Sequence, residues 1–210
     1  MDVGLRSGIN FIDTSPFYGD GKSEEVLGQA LRRVPRHTYY IATKVGRYSS
    51  DWKKAFDFSA ETVVREFENS LQRLQLTYVD LVQVHDFEFR QDPEYIARVT
   101  LPAVRRIVES GKARYCGITG YPLQEFRKVL DLSSVRVDTV LSYTRNTFID
   151  RTLEVNNSSS MGESCYVVTI SRSIFHISNP RILESSTPPR LGWVSSPTPD
   201  LQTGTRPRRR

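Results

Sequence analysis

Cysteine is almost missing from this 210-residue chain, which holds only Cys116 and Cys165. Two thiols are too few for a disulfide framework or a thiolate metal site, and they point to a reducing, cytoplasmic setting. No apolar run approaches the roughly 18 residues that a membrane helix needs, so no membrane partner is expected. The opening residues MDVGLRSGIN lack the apolar stretch of a signal peptide. Glycine-rich phosphate loops are absent too. GQALRR and GITGYP match neither a G-x-G-x-x-G fingerprint nor a Walker motif, which weakens an open-sheet nucleotide-binding reading.

The net charge of +5 is concentrated at one end. Up to Asp150 there are 21 basic against 20 acidic residues, whereas from Arg151 onward 8 arginines face 4 acids. Four of those arginines fall in the last five residues, and lysine does not occur after Thr152 at all. Basic character thus belongs to a tail and not to a folded patch, and no nucleic-acid partner is expected. The body has ample length for a core, and a hydrophobic share of 38% suits a globular chain.

Short apolar runs alternate with helical patterns as far as Thr152. Strands are expected over Asn10–Asp13, Tyr39–Val45, Val79–His85, Ala113–Thr119 and Asp138–Tyr143. Helices are expected over Ser23–Arg33, Ser59–Leu74, Tyr95–Ser110 and Leu123–Leu132. Ser23 and Ser59 are the expected N-caps, and Gly111 the expected stop after the third helix. In the first helix Val26, Leu27, Ala30 and Leu31 form the expected buried face. This alternation implies a parallel sheet with right-handed crossovers, either open or part of an eightfold barrel. Beyond Thr152 the chain is rich in Ser, Thr, Pro and Arg. Only Cys165–Ile170 and Ser173–Ile177 read as strands there, and the rest reads as linker.

Asp13, Tyr18, Lys44 and His85 stand at or just past the ends of the first three strands. In a parallel barrel such ends converge on one face. Each residue also has a plain structural use. Asp13, ahead of Thr14 and Ser15, can cap a turn, Tyr18 before Gly19 can be a loop tyrosine, and His85 can be a satisfied strand-end histidine. Lys44, behind an apolar run, needs a partner. Together the four types make chemical sense. A tyrosine can give a proton to a carbonyl oxygen, although an ordinary pKa of about 10 makes it reluctant. A lysine cation beside it favours the phenolate, an aspartate fixes that lysine, and a histidine holds the substrate oxygen. The set suits carbonyl reduction or alcohol oxidation without a metal.

Several longer phrases carry the same residues. These are GINFIDTSPFYG, SEEVLGQAL, IATKVGR, ENSLQRLQLTYVDLVQVH, ESGKARYCGITG and the SYT segment at Tyr143. They resemble the aldo-keto reductase family over roughly Val3 to Thr152. GITGYPL and LSYTRNTFID look most like its L-galactose dehydrogenase and aldose dehydrogenase branch. The resemblance implies a (β/α)8 barrel, NADP or NAD as cofactor, and a small carbonyl or sugar substrate. It also implies Asp13, Tyr18, Lys44 and His85 as the catalytic tetrad, with Tyr18 the proton donor.

Departures from the family pattern shape the remaining expectations. Where the family has a Ser-Asn pair holding the nicotinamide carboxamide, this chain has Thr119 and Gly120. Val140 or Tyr143 stands where a glutamine is usual. Thr119, Gly120 and Tyr143 are therefore the candidate cofactor contacts. The resemblance begins inside the first barrel helix and stops before the last two strand–helix units. In the family those units supply an aromatic stacked on the nicotinamide and basic residues for the phosphates. The expected architecture is thus a partial barrel over residues 1–152 and a divergent, largely disordered tail over 153–210. The leading functional reading is an NAD(P)-dependent oxidoreductase. The alternative is a catalytically inactive truncated variant that retains only a protein-binding role.

Overall fold

The computed structural model describes residues 2–143, together with residues 166–170 and 175–178 as backbone strands. Seven strands form one sheet in chain order: β1 (Phe11–Asp13), β2 (Tyr40–Val45), β3 (Val79–His85), β4 (Ala113–Gly120), β5 (Thr139–Tyr143), β6 (Tyr166–Ile170) and β7 (Phe175–Ser178). Strands β1 to β6 are all parallel, and β7 returns antiparallel to β6. Sequential parallel strands joined by helices are the repeating unit of a (β/α)8 barrel, here present as part of one. The first six strands match the expected ones to within a residue, and β7 begins two residues later than expected. The two segments expected after Thr152 are β6 and β7, and β6 lengthens the parallel series beyond the five strands expected to belong to the barrel. The rest of 153–210, where disorder was expected, lies outside the described residues.

The helices are α1 (Asp2–Arg6), α2 (Lys22–Leu31), α3 (Ala60–Leu74), α4 (Pro93–Tyr95), α5 (Leu101–Glu109) and α6 (Leu123–Leu132). They cover one face of the sheet. Ile41, Val45, Val82, Val84, Ile118 and Val140 from the strands pack there against Val63, Phe67, Leu71, Val104, Ile107, Phe126 and Val129. Helix α3 follows its pattern closely. Ser59 caps it by accepting the Thr62 N–H, and Gln75 ends it in a left-handed conformation.

Two helices depart from the sequence reading, each for an identifiable reason. Between α4 and α5 the chain widens into a π turn over Ile96–Thr100, where the Leu101 N–H reaches back to the Ile96 carbonyl. Pro102 follows directly; it has no N–H to donate and its ring crowds the preceding turn, and the wider turn makes room for it. In α2, Ser23 is not the cap. Gly21 takes that position in a left-handed conformation, and the Ser23 hydroxyl instead bonds Thr14 Oγ1 at 2.8 Å. Helix α2 also buries only part of the expected face: Leu31 is inside and Leu27 half-buried, but Val26 and Ala30 are exposed while Glu24 and Gly28 are inside.

Glu24 explains that rotation. Its carboxylate is fully buried, bonded to Arg73 Nε at 2.8 Å and to the Thr43 hydroxyl. One turn on, Gly28 lies flat against α3, where an added Cβ would come within 2.4 Å of the Arg73 carbonyl oxygen. A methyl there requires the helices to part, so Gly28→Ala should destabilise the protein by about 1–3 kcal/mol. Equilibrium denaturation measures this, and an unchanged midpoint would contradict the packing.

Candidate active site

Parallel strands place register partners on the same face of a sheet, and residues two apart on one strand share that face. Asp13 pairs with Ala42, Lys44 with Gln83, and His85 with Thr119. Asp13, Lys44, Gln83, His85 and Thr119 therefore share one face, opposite the helix-packed one. Three of the four candidate tetrad residues reach it from consecutive strands. The fourth, Tyr18, comes from the β1–α2 loop, which is folded tightly by N–H···O=C bonds from Tyr18 to Ser15 and from Ser23 to Tyr18. Gly19 and Gly21 take positive φ in that loop, the conformation that glycine adopts without strain.

Lys44 is the centre of the cluster. It is among the largest fully buried side chains of the described residues, with 1% of its surface exposed. Its ammonium donates to Asp13 Oδ2 at 2.5 Å and to the Thr14 carbonyl at 2.9 Å. A lysine ammonium has three hydrogens. The third side of the group faces the Tyr18 ring, whose centroid is 5.0 Å away. Asp13 is steadied from the other side by Gln83, whose Nε2 donates to Oδ1 at 3.3 Å. The Tyr18 ring meets the His85 ring edge-on, at 5.9 Å between centroids and 89° between planes. Tyr18 remains partly exposed while Lys44 and His85 are buried, so the phenol is the member of the group that solvent or a small molecule reaches.

Burial, and next the nearby Lys44 and Arg47 cations, hold the His85 imidazole well below its usual pKa, so it is neutral near pH 7. Asp86, the next residue, is raised by desolvation, against which the Arg47 guanidinium acts at 2.6 Å. The His85 shift has a definite sign in stability. Below the ordinary histidine pKa of about 6.5 the unfolded chain takes up a proton that folded His85 refuses, so stability falls as pH drops. The raised Asp86 acts in the opposite direction above its own ordinary value. Acidification from about pH 7 to about pH 5 should therefore lower the denaturation midpoint, and less so in His85→Gln. An identical pH dependence in the two proteins would contradict the buried neutral imidazole.

Residues 1–156 match the family described as the aldo/keto reductase family. The chain belongs to that family. It is 47% identical over 152 residues to an L-galactose dehydrogenase of Arabidopsis thaliana, covering 71% of this chain and 46% of that one. It is 38% identical over 146 residues to a D-arabinose 1-dehydrogenase of Saccharomyces cerevisiae, covering 65% and 42%. Among solved structures it resembles the holo form of an aldo-keto reductase from Bacillus halodurans, with TM-score 0.65, 25% identity and 80% of this chain covered against 54% of that one. It also resembles an aldo-keto reductase from Klebsiella pneumoniae in complex with NADPH, with TM-score 0.54, 28% identity and coverage of 67% and 45%. The chain spans somewhat less than half the length of the curated relatives it matches.

The candidate cofactor contacts separate by face. Thr119 lies beside His85 on the face that carries the cluster, and Tyr143, two past Leu141, follows on the same face with its side chain exposed. Gly120 falls on the opposite face, against Phe87 and Glu88, where a Cβ would meet Glu88 Oε2 at 2.5 Å. Val140, the other residue weighed for the glutamine position, is core on the helix-facing side. Sequence reading did not single out Gln83, Arg47 or Glu88, and it named Ser15 only in the turn after Asp13. Gln83 carried a signal, being the one polar residue inside the apolar run LVQV. Arg47 had none, because its partners Asp86 and the Phe17 ring, 3.6 Å below its guanidinium, come from other loops.

Proposed function

We propose that this chain carries the acid–base centre of an NAD(P)-dependent oxidoreductase acting on a sugar or other small aldehyde or alcohol. The observation that supports it most is the Lys44 ammonium, held by Asp13 and the Thr14 carbonyl beneath the Tyr18 ring, with His85 across from that ring. The names of the relatives agree in kind: L-galactose dehydrogenase, D-arabinose 1-dehydrogenase and a reductase bound to NADPH.

Residues on the cluster-bearing face suit the amide end of a nicotinamide. Gln83 Oε1 and Thr139 Oγ1 are buried there without a hydrogen-bond partner, one step below the His85–Thr119 level. An amide, which both donates and accepts, answers such atoms, and Thr119 and Tyr143 would complete that side. A bound nicotinamide supplies hydride to the carbonyl carbon or takes it from the alcohol. The chain's own residues handle the oxygen. Tyr18 gives its phenolic proton as the oxygen becomes an alcohol, and recovers it in the reverse direction. Lys44 faces the phenol ring and stabilises the negative charge that Tyr18 then carries, while Asp13 keeps that ammonium in place. His85, neutral and buried, offers a hydrogen bond to the substrate oxygen.

The alternative, a catalytically silent chain kept for a protein-binding role, draws on one observation: the relatives are about twice as long as the stretch matched. Titrating the full chain with NADPH and NADH, with nicotinamide fluorescence as readout, separates the two. Saturable micromolar binding is the expected result. No binding up to millimolar cofactor would overturn the enzyme reading. A cytoplasmic location and a division into a barrel part over 1–152 and a distinct tail over 153–210 belong to the same proposal. Among the described residues no helix is long and apolar enough to cross a membrane.

A further inference from the structure

Ser15 lies two residues past Asp13 and is fully buried. Its Oγ sits 3.1 Å from His85 Nδ1 and accepts the backbone N–H of Phe17, also at 3.1 Å. A hydroxyl has one hydrogen and two lone pairs. The Phe17 N–H occupies one lone pair, which leaves two ways to join Ser15 to the ring. If Nδ1 carried a hydrogen, it would fill the second lone pair, and the buried hydroxyl hydrogen would face no acceptor. If Nδ1 is bare, it accepts that hydrogen, and all three groups are satisfied. Buried polar groups are overwhelmingly satisfied ones.

We infer that Ser15 is a positioning residue whose hydroxyl donates to His85 Nδ1 and thereby places the ring hydrogen on Nε2. The burial that keeps the imidazole neutral leaves it one hydrogen to place. The other side of the ring is arranged to match. Asp86 Oδ2 is the carboxylate oxygen near Nε2, but it stands off at 3.7 Å and is bonded to Arg47 at 2.6 Å. The Nε2–H is therefore not drawn into an ion pair. It is available beside Tyr18 for a carbonyl oxygen, which needs a donor; the other tautomer would present a lone pair and repel it. This inference rests on the proposed roles of Tyr18 and His85, while the Ser15–His85 contact itself does not.

Nitrogen-15 NMR of the full chain labelled at histidine tests it. The chain has three histidines, His37, His85 and His176, and the His85 signals are those lost in His85→Gln. The expected wild-type spectrum has an unprotonated Nδ1 and a protonated Nε2. In Ser15→Ala both shifts should move toward the averaged values of mixed tautomers, and Ser15→Thr should restore them. A protonated Nδ1 in the wild type, or an unaltered spectrum in Ser15→Ala, would overturn the inference. If Ser15→Ala does not fold, the wild-type spectrum alone still decides which nitrogen bears the hydrogen. Where the wild type turns over, Ser15→Ala should lower kcat more than it changes KM. Absence of turnover in the wild type would remove the proposed reaction and leave the tautomer result standing.

Discussion

Replacing Lys44 with methionine should cost about 3–5 kcal/mol of stability, because it leaves the Asp13 carboxylate buried without its cation. The side chains of Lys44 and Asp13 are 1% and 7% exposed, so solvent does little to compensate either one. In a domain of this size the loss corresponds to a fall in Tm of about 10 °C. The double variant Asp13→Leu with Lys44→Met removes both charges and should recover much of the loss, since a buried ion pair is seldom better than a well-packed apolar pair. Thermal and urea denaturation of the three proteins measure this. If Lys44→Met alone were as stable as the wild type, the pair would have to be solvated, and the site would be built differently. Neither variant should turn over, because each lacks the ammonium under the Tyr18 ring.

Tyr18→Phe is the complementary case, with a large effect on chemistry and little on folding. Tyr18 is partly exposed, and its ring contacts with Phe17 and His85 survive loss of the hydroxyl. Removing the proton donor should lower kcat by about 10²–10⁴-fold while KM and the denaturation midpoint stay close to wild type. If the chain instead worked only by binding a protein partner, Tyr18→Phe would leave that binding intact. A drop in stability matching the drop in rate would mean that the hydroxyl serves the fold, and the acid role would be lost.

The fold was legible wherever local pattern and tertiary packing agree. VDLVQVH is apolar enough to be buried on both faces and forms β3 over its whole length. Ser59, three residues before Thr62, caps α3 as its position implies. Asp13, Lys44 and His85 could be placed at strand ends from the sequence, and the parallel register puts them on one face. What escaped were residues whose partners lie far away in the chain. Glu24 lies in the first turn of α2, where an acid suits a helix start without further purpose, yet it is a buried ion-pair partner of Arg73, and that pairing rotates α2 so that Val26 faces solvent. Gly120 matches the cofactor position in a linear pattern, and its setting beside Phe87 and Glu88, on the face opposite His85, follows only from the strand register. Ser15 looked like turn chemistry after Asp13. Its contact with His85 depends on the β1–α2 loop meeting the end of β3, and nothing local to either encodes that.

The central claim is that this chain assembles a site where hydride and proton are exchanged with a small carbonyl compound. The most direct test incubates the full chain with an aldose and NADPH or NADH deuterated at nicotinamide C4, and reads the product by mass spectrometry. The account predicts deuterium on the former carbonyl carbon with the wild type and a strongly reduced yield with Tyr18→Phe. Unlabelled product, no product from the wild type, or equal labelling with Tyr18→Phe would contradict it.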